Sequence, residues 1–151
     1  HGGMERWFEP ILDTTIMQSA WSKIIRKLAT TADELNENKV KKWCIEAHQF
    51  RIDTTDGIGR PTPEGAHGDG VDWVAVFMVN RQGIKGGETR VFEADGPLGE
   101  RFTLSEPWSL LLLNDARMIH ESTPIQPLDE SGYRDTLVVT LRENYFQTPI
   151  D

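Results

Sequence analysis

The sequence predicts a mainly β fold with one or two helices at the start of the chain. A helical period of apolar residues occurs only in the first third of the sequence. After residue 40, short strand-like segments follow one another closely, without the strand–helix–strand alternation of a parallel α/β protein. This pattern is typical of a sandwich, a barrel or a jelly roll. We expect a single domain over residues 1–151, with a helical lead-in over about 13–35 and a β core over about 40–142.

The lead-in contains one amphipathic helix. Its apolar residues recur three and four positions apart and form a stripe that would pack on a sheet: Ile16, Met17, Ala20, Trp21, Ile24, Ile25 and Leu28. Thr15 and Gln18 have the spacing of a capping box at its start. Residues 31–35 would add a turn, and Asn36-Glu37-Asn38 should end the helix.

The β core is predicted from alternation and from Val, Ile, Trp and Phe enrichment. Strands are expected over residues 40–52, 71–79, 88–93, 101–104, 108–113, 117–120 and 136–142. Residues 81–87 contain three glycines and are predicted as a turn-rich connection. Asp95-Gly96 indicates a hairpin turn after residues 88–93.

Charge and composition exclude several classes of partner. Sixteen basic and 24 acidic residues give a formal net charge of -8, which lacks the basic surface that nucleic acid or anionic lipid requires. No apolar run approaches the roughly 20 residues of a membrane helix. The single cysteine, Cys44, cannot form an internal disulfide, and no signal peptide is apparent. We therefore expect a cytoplasmic protein that binds neither nucleic acid nor membrane.

A glycine-rich loop over residues 57–72 carries the triplet His67-Gly68-Asp69. Residues two apart in an extended chain point to one face, so His67 and Asp69 can offer a nitrogen and an oxygen to one point. His120, at the end of a predicted strand, is the best candidate for a third ligand. Two histidines and one carboxylate form the facial triad of non-haem Fe(II) sites, and the same residue types also suit zinc.

Arg134 and Thr136 share one face at the start of the last predicted strand. A guanidinium with a hydroxyl beside it is well suited to a carboxylate, which it can bind through two parallel hydrogen bonds. The alternative is a surface ion pair of Arg134 with Asp135, Asp129 or Glu130.

These residues together resemble a known enzyme superfamily. His67-x-Asp69, Gly86-Gly87-Glu88-Thr89, His120 and Arg134-x-Thr136 are similar to the motifs of the Fe(II)/2-oxoglutarate-dependent dioxygenases. Residues 64–72, 79–81 and 84–89 look most like the bacterial free amino-acid hydroxylases of the isoleucine 4-hydroxylase type. The resemblance covers roughly residues 43–142. It implies a double-stranded β-helix, which is a cupin-like jelly roll.

The resemblance also implies a chemistry. His67, Asp69 and His120 would bind Fe(II), and Arg134, assisted by Thr136, would bind the distal carboxylate of 2-oxoglutarate. With O2, the protein would hydroxylate an aliphatic C–H of a small substrate, which we expect to be a free L-amino acid, and release succinate and CO2. Ascorbate would serve as the reductant in vitro.

Substrate contacts are inferred from position alone. Gln49 and Arg51 share one face of a strand that leads toward the site, and Asp72 follows the ligand triplet. Trp73 could form an apolar wall, although ordinary core packing is the simpler interpretation of this residue.

Two other functions use the same residue types. One is a non-catalytic cupin-like module that binds a small molecule or a metal. The other is a zinc hydrolytic site, although no H-E-x-x-H motif is present. Succinate formation would separate the dioxygenase from both.

Overall fold

The computed structural model of the chain describes residues 7–39 and 42–146. In these ranges two helices come first, α1 (Asp13–Ile16) and α2 (Ser19–Leu35). Nine strands follow in the same ranges: β1 Trp43–Asp53, β2 Trp73–Gln82, β3 Ile84–Gly86, β4 Thr89–Glu93, β5 Gly99–Phe102, β6 Leu110–Asn114, β7 Met118–Ser122, β8 Ile125–Pro127 and β9 Tyr133–Glu143. The chain is mainly β, as predicted. Neither of the described helices combines the length and the apolar character needed to cross a bilayer.

The one predicted helix is divided into two. Met17 and Gln18 separate α1 from α2, and Gln18 is the N-cap of α2 without a side-chain hydrogen bond. The predicted capping box of Thr15 and Gln18 is therefore wrong. Ile16 and Met17 are 43% and 83% exposed and lie outside the packed stripe. The stripe residues that do pack on the sheet are Trp21, Ile24, Ile25 and Leu28. Residues 31–35 continue α2, which ends before Asn36 as predicted.

Antiparallel strands in the order β1-β9-β2-β6 form the main sheet. Because side chains alternate between the two faces of a strand, one set of residues faces α2. This set packs with the buried helix residues into a core made of Leu28, Ala32, Trp73, Ala75, Phe77, Leu137, Val139 and Leu141. The alternate residues, including Val76, Thr136 and Val138, line a cavity on the other face. The main sheet thus separates the helix from the cavity.

Shorter strands form the opposite wall of the cavity. β5, β4 and β7 make a three-stranded antiparallel sheet, and β3 pairs with β8. The loop over residues 57–72 is attached to this wall by two isolated bridges, Gly59 with Ile125 and His67 with His120. The glycine-rich loop therefore continues the second wall and places the His67-Gly68-Asp69 triplet at the cavity.

The strand predictions differ from the structure mainly at short elements and at ends. β3 and β8 were not predicted, because three residues cannot establish a pattern. Trp108 has a positive φ of 65°, so β6 begins at Leu110 instead of residue 108. The Asp95-Gly96 hairpin is confirmed between β4 and β5. The predicted start of the first strand, at residues 40 and 41, lies outside the described residues.

Candidate functional site

The two candidate histidines are brought together by backbone pairing. The N–H of His67 donates to the carbonyl of His120 at 3.0 Å, and the N–H of His120 donates to the carbonyl of His67 at 2.9 Å. Residues directly opposite in an antiparallel pair project their side chains to the same face. The imidazole rings accordingly lie 4.9 Å apart between centroids.

Asp69 completes a cluster of three possible metal ligands. Its Oδ1 lies 3.7 Å from Nε2 of His67, and its Oδ2 lies 3.8 Å from Nε2 of His120. One ligand atom from each of the three side chains lies within 4.8 Å of the others. Two imidazoles and one carboxylate in this arrangement could share one divalent transition-metal ion.

The orientation of His67 fits this use. Its Nδ1 lies 2.9 Å from the carbonyl oxygen of Gly65, which can only accept a hydrogen bond. A neutral ring in this position would carry its proton on Nδ1, which leaves Nε2, the nitrogen beside Asp69, available to bind a metal. A hydrogen bond from the non-ligating nitrogen to a backbone carbonyl is a common support of metal-binding histidines.

Burial shifts the pKa of the other two candidate ligands in opposite directions, and a cation would oppose the shift at Asp69 and add to the shift at His120. Burial raises the pKa of Asp69, although the two neighbouring histidines act in the opposite direction. Burial lowers the pKa of His120, partly offset by the charge of Asp69. A bound metal requires a deprotonated carboxylate and a neutral imidazole, and its charge would compensate the lost hydration of Asp69. The donor set and its environment therefore fit a divalent metal.

Arg134 is a buried cation on β9 in the same cavity. It is 5% exposed, and one of its terminal nitrogens donates to the Ser122 hydroxyl at 3.4 Å. Its Nε is buried and has no hydrogen-bond partner among the described residues. Burial, together with the nearby charge of Arg81, lowers the pKa of Arg134 to about 10. A buried guanidinium in this condition is suited to receive an anion.

The alternative surface ion pair of Arg134 is not formed in the described part of the chain. Asp135 is instead bound by Arg51, whose Nε and terminal nitrogen lie 2.7 and 2.6 Å from its two carboxylate oxygens. Thr136 is 4% exposed and lines the cavity beside Arg134, so the predicted Arg-x-Thr pair does share one face of β9.

The cavity that joins these groups has a volume of about 130 Å³. His67, Asp69 and His120 line it together with Arg134 and Thr136. The remaining wall is apolar on the side of the main sheet, where it consists of Phe50, Ile52, Val76 and Val138. The site therefore combines possible metal ligands and a buried cation in a small, partly apolar space.

The predicted substrate residues are not in this cavity. Gln49 and Arg51 lie on the face of β1 opposite to Phe50 and Ile52, because the strand alternates. Trp73 is buried in the core beneath α2, and its indole N–H donates to Oδ1 of Asn36 at 3.0 Å.

Asp72 also lies outside the cavity. Its carboxylate accepts the backbone N–H of Glu143 at 2.8 Å and so holds the end of β9. Its position explains a structural role and gives no support to the predicted contact with substrate.

Two acidic residues near the ligands were not predicted. Glu64 lines the cavity, with Oε1 at 3.7 Å from Nε2 of His67. Asp115 accepts hydrogen bonds from the loop that carries Asp69. The one available signal was the position of Glu64, three residues before His67 in the same loop.

Comparisons with known proteins agree with this geometry. A family model described as 2OG-Fe dioxygenase matches residues 1–140. A solved bsmA homolog from Methylobium petroleophilum PM1 is 56% identical, with a TM-score of 0.92 over 99% of this chain and 61% of that protein. No curated protein matches the chain.

Two more distant structures share the fold. IDO from Bacillus thuringiensis is 22% identical, with a TM-score of 0.81 over 96% of this chain and 67% of that protein. The Fe(II)/(alpha)ketoglutarate-dependent dioxygenase TqaL is 20% identical, with a TM-score of 0.77 over 98% of this chain and 62% of that protein. The predicted jelly roll is thereby confirmed. The chain spans between 61% and 67% of the length of these three proteins.

Proposed function

Because the chain belongs to the 2OG-Fe dioxygenase family, we propose that it is an Fe(II)- and 2-oxoglutarate-dependent dioxygenase that hydroxylates an aliphatic C–H of a small molecule. The observation that carries this proposal is the presence of the three clustered ligands and the buried Arg134 in one cavity. A metal-binding module alone would have no need of a buried guanidinium beside the ligands.

The protein groups have separate tasks in this proposal. His67, Asp69 and His120 hold Fe(II), which when bound supplies the redox chemistry that couples 2-oxoglutarate, O2 and substrate oxidation. Arg134 binds the distal carboxylate of 2-oxoglutarate, and the hydroxyls of Thr136 and Ser122 lie in the same part of the cavity. A charge-assisted hydrogen bond of this kind contributes roughly 1.5–3 kcal/mol.

The apolar wall keeps water away from the reacting groups. Phe50, Ile52, Val76 and Val138 face the ligands across the cavity. Exclusion of water strengthens the pairing between Arg134 and a carboxylate, because the interaction then takes place at lower local dielectric. It also limits side reactions of the cosubstrate.

We assign the substrate to the free L-amino acids, with Glu64 as the group that receives the ammonium. The side chain of Glu64 is 23% exposed and lies beside the proposed ligand His67. A carboxylate in that place favours a cationic group on the substrate near the metal. The small cavity and the sequence resemblance to the isoleucine 4-hydroxylase type support the same class.

The function is tested by succinate release. The chain is incubated with Fe(II), 2-oxoglutarate, ascorbate and each free L-amino acid in turn, and succinate and 2-oxoglutarate are both quantified. We expect succinate to form in step with 2-oxoglutarate loss and to rise with one group of amino acids. Zn(II) in place of Fe(II) serves as the control and should give none.

Metal and 2-oxoglutarate binding without succinate, with or without any amino acid, would identify a non-catalytic binding module. Succinate that no amino acid increases would retain the dioxygenase and remove the proposed substrate class.

A further inference from the structure

Asp115 is a buried carboxylate, 8% exposed, between β6 and β7. Its Oδ1 accepts the N–H of Asp69 at 2.9 Å. Its Oδ2 accepts the N–H groups of Gly70 and Val71 at 2.7 and 3.1 Å. A single side chain thus binds three successive backbone amides, beginning with the amide of a proposed metal ligand.

The segment that carries Asp69 is attached at two points to the chain around β7. On one side, His67 pairs with His120 through its backbone. On the other side, Asp115 holds the amides of residues 69–71, and its own N–H donates to the carbonyl of Asp72 at 3.0 Å. Both attachments lead to the short stretch from residue 115 to 120, so they fix the ligands relative to one another.

The loop has little intrinsic reason to hold this conformation. Gly68 and Gly70 flank Asp69, and Gly70 has a left-handed φ of 74°. Glycine loses more conformational entropy on ordering than any other residue. Three part-buried amides would also lack their acceptor if the Asp115 carboxylate were removed.

Asp115 also adds negative charge beside the proposed cation site. The carboxylates of Asp69 and Asp115 meet at one short segment of the loop, because Asp115 accepts the backbone N–H of Asp69. A divalent cation would offset the repulsion between the two carboxylates, so the same charge that is unfavourable without metal favours its binding.

We infer that Asp115 is a positioning residue of the metal site, which holds the Asp69 carboxylate in place without touching metal, cosubstrate or substrate. The inference rests on the proposed metal site. Loss of a hydrogen-bond partner behind a metal ligand commonly lowers metal affinity by about 10- to 100-fold. We expect an effect of that size for Asp115, which binds three amides.

The test is a titration of the metal-free chain with Mn(II), followed by the paramagnetic resonance of the free ion. Asp115→Asn is nearly isosteric but directs an amide N–H₂ at a backbone N–H. We expect its Mn(II) dissociation constant to rise about 10- to 100-fold. At saturating Fe(II), its KM for 2-oxoglutarate should stay within about twofold of the wild-type value, because Arg134 is untouched.

Three control variants make the result specific. Asp33→Asn makes the same chemical change on α2, where the Asp33 carboxylate accepts the indole N–H of Trp43. Val139→Ala weakens the core between the main sheet and α2, on the side away from the cavity. Both should bind Mn(II) like the wild type. His67→Ala should lose Mn(II) binding.

Wild-type affinity in Asp115→Asn, with binding lost in His67→Ala, would overturn the positioning role and leave the metal site standing. Wild-type affinity in both variants would overturn the metal site as well.

A measurement on the unaltered chain does not depend on whether a variant folds. Without metal, the amides of Asp69, Gly70 and Val71 should exchange with solvent slowly, because each is bonded to the buried carboxylate. Exchange as fast as that of an unstructured peptide would contradict the clamp.

Discussion

His67 and His120 are bonded to each other through both backbone N–H groups, at 3.0 and 2.9 Å. This pairing joins a glycine-rich loop to β7 and turns both imidazoles to the same face. Asp69, two residues after His67, then needs only the extended conformation of the chain to reach the same point. The pairing thus brings the two imidazoles together, and the hydrogen bonds of Asp115 hold the segment that carries Asp69.

Replacing a ligand should abolish metal binding without unfolding the chain. His67→Ala and Asp69→Ala each leave two ligands, which cannot hold a divalent ion against water at micromolar metal. Circular dichroism should stay unchanged while Mn(II) binding and succinate release are lost. Asp53→Ala, an exposed aspartate whose carboxylate accepts the N–H of Thr55, is the control. A ligand variant that keeps wild-type turnover would refute the assignment.

Arg134→Lys should raise the KM for 2-oxoglutarate by roughly 10- to 100-fold, since the loss of a bidentate charge-assisted contact is worth roughly 1.5–3 kcal/mol. The Fe(II) requirement should not change. The control is Arg51→Ala, which removes an arginine that is paired with Asp135 on the face of β1 turned away from the cavity. An equal KM for 2-oxoglutarate in Arg134→Lys and wild type would refute the proposed binding of 2-oxoglutarate by Arg134.

Removing the buried charge of Arg134 should not destabilise the ligand-free chain. The guanidinium is buried without a carboxylate partner among the described residues, so Arg134→Met relieves a desolvation cost. We expect an unfolding free energy equal to or above that of the wild type in urea. Stabilisation by added 2-oxoglutarate with Mn(II) should disappear. A loss of more than about 2 kcal/mol would show that Arg134 has a structural partner.

Glu64→Gln should affect the amino-acid substrate more than the cosubstrate. The amide keeps the shape of the side chain but loses the charge that would pair with an ammonium. We expect a higher substrate KM with an unchanged KM for 2-oxoglutarate, measured by succinate release. Glu121→Gln is the matched control, because Glu121 faces Arg90 outside the cavity. Equal substrate KM values in Glu64→Gln and wild type would exclude the assigned contact.

Trp73→Phe should lower stability and leave the kinetics unchanged. Trp73 fills the core beneath α2 and donates to Asn36, so its loss should cost about 1–2 kcal/mol of unfolding free energy. The KM values for substrate and 2-oxoglutarate should equal those of the wild type. A selective rise in substrate KM would support the predicted contact of Trp73 with the substrate.

The sequence predicts the fold and the proposed ligand triplet His67-Gly68-Asp69 because their signals are local. The i and i+2 spacing of His67 and Asp69 and of Arg134 and Thr136 requires only an extended chain. The long strands β2 and β9 were recognisable from their composition. The three-residue β3 and β8 were missed because they are defined by their pairing with each other.

Residues whose roles depend on contacts far apart in the chain could not be predicted from the sequence. Alternation shows that Gln49 and Arg51 share a face of β1, but only the packing of α2 decides that this face is turned away from the cavity. The role of Asp115 rests on hydrogen bonds to amides more than 40 residues earlier in the chain, and no spacing rule encodes such a contact.

The shared metal ion is tested most directly by the anomalous scattering of crystals grown anaerobically with Mn(II). We predict one strong peak bonded to Nε2 of His67, Nε2 of His120 and a carboxylate oxygen of Asp69, with no fourth protein ligand. A peak held by other residues, or a fourth side chain that closes the coordination sphere, would contradict the proposed catalytic site.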